Sequence, residues 1–123
     1  MADLIADVFG LSPEIRYVAV YREGKLESRA RSGLANASAS ESDKYEELIV
    51  NPTLLKLVGQ RGDIDCGGAR FVIIRYGNFW ELVHPAKDGH VSVGMELRAN
   101  PQALQPALEG VLTKHGILSS RAG

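Results

Sequence analysis

Apolar residues recur at helical spacing near the start of the chain. Leu4, Ile5, Val8, Phe9 and Leu11 share one face, Asp3 can cap the amino end, and Gly10 and Pro13 mark where a helix over residues 2–11 must stop. The period then changes to two. Residues 17–21, Tyr-Val-Ala-Val-Tyr, are apolar on both faces, whereas residues 26–31 alternate apolar with charged, and a turn containing Gly24 joins them. The second of these strands therefore belongs at a wet sheet edge. Residues 32–42, Ser-Gly-Leu-Ala-Asn-Ala-Ser-Ala-Ser-Glu-Ser, offer almost nothing to bury and predict a flexible loop. Ser42 or Asp43 can then cap a middle helix whose apolar stripe is Tyr45, Leu48, Ile49, Leu54, Leu55 and Val58. Proline lacks an amide donor and restricts the residue before it, so Asn51-Pro52 predicts a kink or two consecutive short helices. Gly59, Gly62 and Gly67-Gly68 punctuate the exit.

Residues 69–97 read as a three-stranded antiparallel meander: 70–76, a Gly77-Asn78 turn, 79–84, a turn over 85–89, and 90–97. Asn100-Pro101 starts a last helix that buries Leu104, Ala107, Leu108, Val111 and Leu112 and ends at Gly116. No internal repeat is visible, so residues 1–118 form one domain, with 119–123 a frayed tail. The element order α-β-β-α-β-β-β-α predicts an α/β fold of the α+β kind. It is a three-layer α/β/α sandwich around a five-stranded antiparallel sheet, with the middle helix on one face and the terminal pair on the other. Strand order 2-1-5-4-3 lets each hairpin pair locally. It leaves strand 3, with its long apolar run, at an edge. Such an edge invites pairing, which predicts a homodimer through Phe71 and Ile73 of strand 3 and Tyr45, Leu48 and Leu55 of the middle helix.

Composition narrows the function. The 123 residues are 45% hydrophobic and 24% charged, close to ordinary globular averages. A chain of this size buries roughly 60–70% of its unfolded surface and needs no staple. Fourteen Lys+Arg against fifteen Asp+Glu give a net charge of −1, which disfavours a nucleic-acid partner. The lone Cys66 excludes an intrachain disulfide and multi-cysteine metal or redox motifs, and it fits a reducing compartment. No run of about 18 apolar residues occurs, and acids stand where a secretory signal carries Lys or Arg, so the chain is expected to be cytoplasmic, with no membrane insertion.

Catalytic chemistry has no visible carrier. The glycine-rich segment 59–68 lacks phosphate-loop and dinucleotide spacing and leads into a strand, which reads as a plain helix-to-strand connection. Asp63 and Asp65 open like a calcium loop, but the twelfth position is Ile74 where a bidentate Glu is required. His84, His90 and His115 make no local metal pair and read as surface or turn residues, although His84 and His90 flank a turn and can approach across the hairpin. Cys66 has no neighbouring base or cation in sequence, and the serines cluster in the loop and tail. No catalytic residue, cofactor or metal site is expected. The sequon at Asn36 and a solvated Ser38, Ser40 and Ser42 carry no function here. Phe79 and Trp80 point to opposite sides of their strand, and Trp80 with Tyr76 is the remaining candidate for an apolar pocket.

These residues carry a resemblance over nearly the whole chain: the opening helix, the strand pair 17–31 with its Glu23-Gly24 turn, the long middle helix, the 70–97 meander and the 100–115 helix. Together they resemble the roadblock family, dynein-light-chain-like proteins with a profilin-like fold. The segment 76–93, Tyr-Gly-Asn-Phe-Trp-Glu-Leu-Val-His-Pro-Ala-Lys-Asp-Gly-His-Val-Ser-Val, is similar to a signature of a microbial roadblock-like group. Pro52 is a departure, since roadblock middle helices are usually continuous. The resemblance implies a non-catalytic, dimeric module that scaffolds or regulates a Ras-like small GTPase. A competing reading is a PAS- or GAF-like sensory domain, which shares two strands before a helical segment and three after, and which would hold a small molecule near Tyr76, Trp80 and Cys66. A small enzyme is the third reading and lacks a nucleophile, base or metal cluster.

Overall fold

The structure, a computed structural model, describes residues 3–119. The expected frayed tail lies outside the described residues except for Ser119. Helix α1 (Leu4–Phe9) begins where Asp3 accepts the Ala6 amide at 3.1 Å. Strands β1 (Ile15–Arg22) and β2 (Lys25–Ala30) follow as a hairpin. Its two turn residues, Glu23 and Gly24, have φ of 53° and 78°, the primed geometry whose twist matches the strands. The middle helical segment comprises α2 (Ser40–Tyr45), a π turn (Glu46–Val50) and α3 (Asn51–Asp65). Strands β3 (Val72–Arg75), β4 (Trp80–Ala86) and β5 (Gly89–Met95) form the meander, and α4 (Pro101–Lys114) closes the chain. Asn100 caps α4 by accepting the Ala103 amide at 3.2 Å.

The sheet order is β2-β1-β5-β4-β3 with every pair antiparallel, the architecture that the sequence pattern predicts. Its two faces are chemically unlike. On one face, α1 and α4 bury Ile5, Val8, Leu108 and Leu112 against Val18, Leu82, Val91 and Val93. On the other, the middle helix meets the sheet through Glu47 and Asn51, both fully buried.

That second contact corrects the expected stripe. Tyr45 is 62% exposed, Ile49 53% and Leu48 42%, and Val58 also faces water, whereas Leu54 and Leu55 are half-buried. The apolar stripe looks outward because the sheet beneath the helix presents polar side chains, which the helix answers with polar ones. The helix also starts earlier than the sequence suggests, with Ala39 as N-cap and no side-chain cap, so Ser42 and Asp43 lie inside it. Pro52 does not divide it into separate helices. The π turn lies immediately before the proline, and the Asn51 amide donates five residues back to Glu46, so the wider turn accommodates the ring that would crowd a regular α-helix.

Two element ends and one buried face also differ. Residues 59–65 belong to α3, which continues through Gly59 and Gly62; the connection to β3 starts only at Cys66. Pro85 and Ala86 belong to β4, and the turn narrows to Lys87 and Asp88. Pro85 is tolerated because β3 pairing ends at Val72 opposite Val83, short of the position where an amide would be needed. In α4, Ala107 is exposed and Gln105 is buried.

Candidate functional site: a cleft between the middle helix and the sheet

β1 sets one wall. Arg16, only 5% exposed, pairs with Glu96 at 3.2 Å and donates to the carbonyls of Ala35 at 3.0 Å and Asn36 at 3.3 Å. Its guanidinium also sits 5.4 Å from the centre of the Phe79 ring. These contacts bring the segment before α2 over the sheet. Beneath it lies a cleft of about 400 Å³ walled by Tyr17, Leu34, Tyr76 and Phe79, with Glu81 and Gly94 at its base. Gly94 stands in register between Tyr17 of β1 and Glu81 of β4, so a sheet position that would project a side chain into the space is bare.

Carboxyl groups gather along the helix side of this cleft. Glu47 accepts from His90 Nε2 at 2.8 Å, from Ser92 Oγ at 2.6 Å and from Asn51 Nδ2 at 3.1 Å. Asn51 Nδ2 also donates to Glu81 at 3.1 Å. Burial first, then the hydrogen-bonding carboxyl of Glu46 and the charge of Glu47, push the Glu81 carboxyl up to about 9. Glu81 therefore carries a proton at neutral pH. Tyr76 donates its hydroxyl to Glu46 at 2.8 Å, and burial together with this bond raises its phenol. Burial and the charge of Glu47 raise the Tyr17 phenol as well.

The opposite face holds a second polar chain. His84, 3% exposed, stacks on Phe71 and donates from Nδ1 to the Pro85 carbonyl at 3.0 Å. Its Nε2 accepts from Gln105 at 3.0 Å, Gln105 also donates to Glu109 at 2.9 Å, and Arg70 pairs with Glu109 at 3.2 Å. Burial holds the His84 imidazole below its usual value, so it is neutral at pH 7. A smaller hollow of about 350 Å³ adjoins His84 and Arg70.

The histidines thus depart from the surface reading. His84 and His90 are buried, and they do not meet: the register sets His90 opposite Pro85, one step from His84, so the rings point to opposite faces. His115 is half-buried and joins Asp7 of α1 at 2.7 Å. Nor are Tyr76, Trp80 and Cys66 brought together. Tyr76 lines the cleft, whereas Trp80 packs on the α4 side and donates to the Leu97 carbonyl at 3.1 Å. Cys66 is exposed at the end of α3 and does have a cation beside it, Arg61 Nη1 at 3.3 Å, which one helical turn supplies. Phe71 and Ile73 pack inward on the core, so β3 presents its backbone at the rim of the sheet. No group of three or more His, Cys, Asp or Glu among the described residues is arranged to hold a metal ion.

The cleft residues Arg16, Glu46, Glu47, Glu81 and Gly94, and Asn51 that bonds two of them, escaped the sequence reading. Their signal was faint: Glu81 interrupts an apolar strand, and His90 and Ser92 alternate with Val91 and Val93.

No protein-family model matches the chain, and no curated protein matches it either. Among solved structures, the crystal structure of MglC from Myxococcus xanthus is similar, with a TM-score of 0.52 over 90% of this chain and 95% of that one. The sequences are 10% identical, so the similarity is one of fold. The fold is roadblock-like. No helix among the described residues is long and apolar enough to cross a membrane.

Proposed function

We propose that this protein is a non-catalytic interaction module that pairs with a second copy of itself and scaffolds or regulates a Ras-like small GTPase. The observation that carries the reading is the outward apolar side of the middle helix, where Tyr45, Ile49, Leu57 and Ile64 are each more than half exposed. A contiguous apolar surface of this kind marks an interaction site. β3, at the end of the sheet order, supplies an unpaired edge suited to the same partner. In this proposal a second copy adds its own β3 to that edge, and the two middle helices cover each other's Tyr45, Leu48 and Leu55. The GTPase part rests on the roadblock resemblance, which the likeness to MglC supports at the level of fold.

Sedimentation analysis tests the self-contact: the expected mass is twice 13.3 kDa, and Ile49→Glu with Leu57→Glu shifts it toward the monomer. A monomeric native chain at high concentration overturns it. For the partner, native-cell proteins retained on the immobilised chain are expected to include one carrying guanine nucleotide, whose exchange or hydrolysis rate changes when the chain is added. Recovery of no nucleotide-bound protein overturns that half.

A further inference from the structure

We propose that the cleft between the π turn and the sheet binds a small organic cation, a protonated primary amine carrying a flat apolar body. The space comes from Gly94: a Cβ there would meet Tyr17 at 3.4 Å, ordinary contact, so the position tolerates a side chain and is nonetheless empty. The resulting volume, about 400 Å³, lies in the range of small-ligand pockets. Its walls are the rings of Tyr17, Tyr76 and Phe79, flat surfaces that attract both an apolar body and an adjacent positive charge.

Charge sets the sign of the ligand. Asp43, Glu46 and Glu47 from the middle helix and Glu81 from β4 line the cleft. The basic groups nearby are already engaged, His90 by Glu47 and Arg16 by Glu96 and two carbonyls. An ammonium group supplies three donors and one positive charge, which the lining carboxyls of Asp43, Glu46 and Glu81 can accept beside the aromatic walls. An anion would meet like charge, and a neutral molecule would gain nothing from the carboxyls that the Glu81 proton does not already supply.

The proton on Glu81 gives the site a signature. It balances the cleft in the absence of ligand, and an incoming ammonium replaces it, releasing the proton to solvent. Binding then strengthens toward alkaline pH. The groups facing Glu81 are Tyr17 of β1, Glu46 and Glu47 of the π turn, Tyr76 before β4 and His90 of β5 behind Glu47; both phenols are raised and stay neutral through this range.

The test uses the full chain with phenethylamine, phenethyl alcohol and phenylpropanoate as cationic, neutral and anionic probes, followed by calorimetry and by backbone amide shifts. Phenethylamine is expected to saturate, to shift the amides of Gly94 and Gly77, and to bind at least about tenfold tighter than the alcohol, with affinity rising from mildly acid to mildly alkaline pH. Glu81→Gln keeps an acceptor for Asn51, and it is expected to weaken the amine and abolish the pH dependence. Absence of saturable amine binding, equal binding of the alcohol, or amine binding unchanged in both Glu81→Gln and Glu46→Gln overturns the proposal. None of these readouts depends on self-pairing or on a GTPase.

Discussion

Glu47 Oε1 and His90 Nε2 lie 2.8 Å apart between the middle helix and β5, with both side chains 2% exposed or less. This contact, rather than an apolar one, fixes the middle helix to the sheet. Removing one partner strands the other in a dry layer, which typically costs about 3–5 kcal/mol. Glu47→Ala and His90→Ala are each expected to lower unfolding stability by that amount in urea titration. A loss as small as that of an exposed ion pair, below about 1 kcal/mol, contradicts the arrangement.

Glu81 makes stability fall toward alkaline pH. Its carboxyl titrates at 4.5 when exposed and near 9 in the fold, so across that window the folded chain holds the extra proton. Stability contributed by this group is complete below 4.5 and declines as pH rises. Glu81→Gln is expected to flatten the decline when urea midpoints are compared at the two ends of the window. Parallel declines in both proteins count against the assignment.

His84 acts in the opposite sense. Burial depresses its imidazole below 6.5, so the unfolded chain takes up a proton first as pH falls. The contribution is complete above 6.5 and is lost on acidification. Replacing His84 with Gln is expected to reduce the acid-side loss seen in the same titration.

Two glycines one turn apart in α3 should respond with opposite signs. A Cβ on Gly62 would stand 2.7 Å from the Gly68 carbonyl carbon, whereas one on Gly59 meets nothing within 4 Å. Gly62→Ala is expected to destabilise by about 1–3 kcal/mol through overpacking against backbone. Gly59→Ala is expected to stabilise by roughly 0.5–1 kcal/mol through helix propensity. Thermal or urea unfolding of the pair checks both.

Arg16 is the tie for the segment over the cleft. Replacing it with Met removes both charge-assisted bonds to the carbonyls of Ala35 and Asn36. Hydrogen exchange over residues 34–38 is expected to rise by about tenfold, equivalent to ~1.4 kcal/mol, with the β5 amides unchanged. An equal rise in both regions would mean global destabilisation instead.

Much of the fold was legible because periodicity reports which positions are apolar. Val91 and Val93 mark a strand, Leu108 and Leu112 mark a helix face, and Asp3 and Asn100 mark helix starts, each by local chemistry alone. The cleft was not legible, because it depends on which polar residues meet across the sheet. Glu47 and His90 are forty-three positions apart, and nothing local says that the helix turns the Glu47 carboxylate inward and Tyr45, Leu48 and Ile49 outward. Cys66 shows the same limit at short range: Arg61 is five residues away, yet reaches the sulfur only because α3 extends through Gly62.

The unlike faces of the sheet set different rules for sequence change. Against α1 and α4, the contacts away from the His84–Gln105–Glu109 chain are non-directional, so Ile5, Val8, Val93 and Leu112 can drift among aliphatic residues if volume is kept. Against the middle helix, Glu47, Asn51, Glu81, His90 and Ser92 share donors and acceptors, and a change in one makes its neighbours wrong. Divergent descendants of this chain should therefore vary freely at the aliphatic positions under α1 and α4 and in concerted sets beneath the middle helix, so that coordinated substitution at five scattered positions becomes a mark by which distant relatives can be recognised.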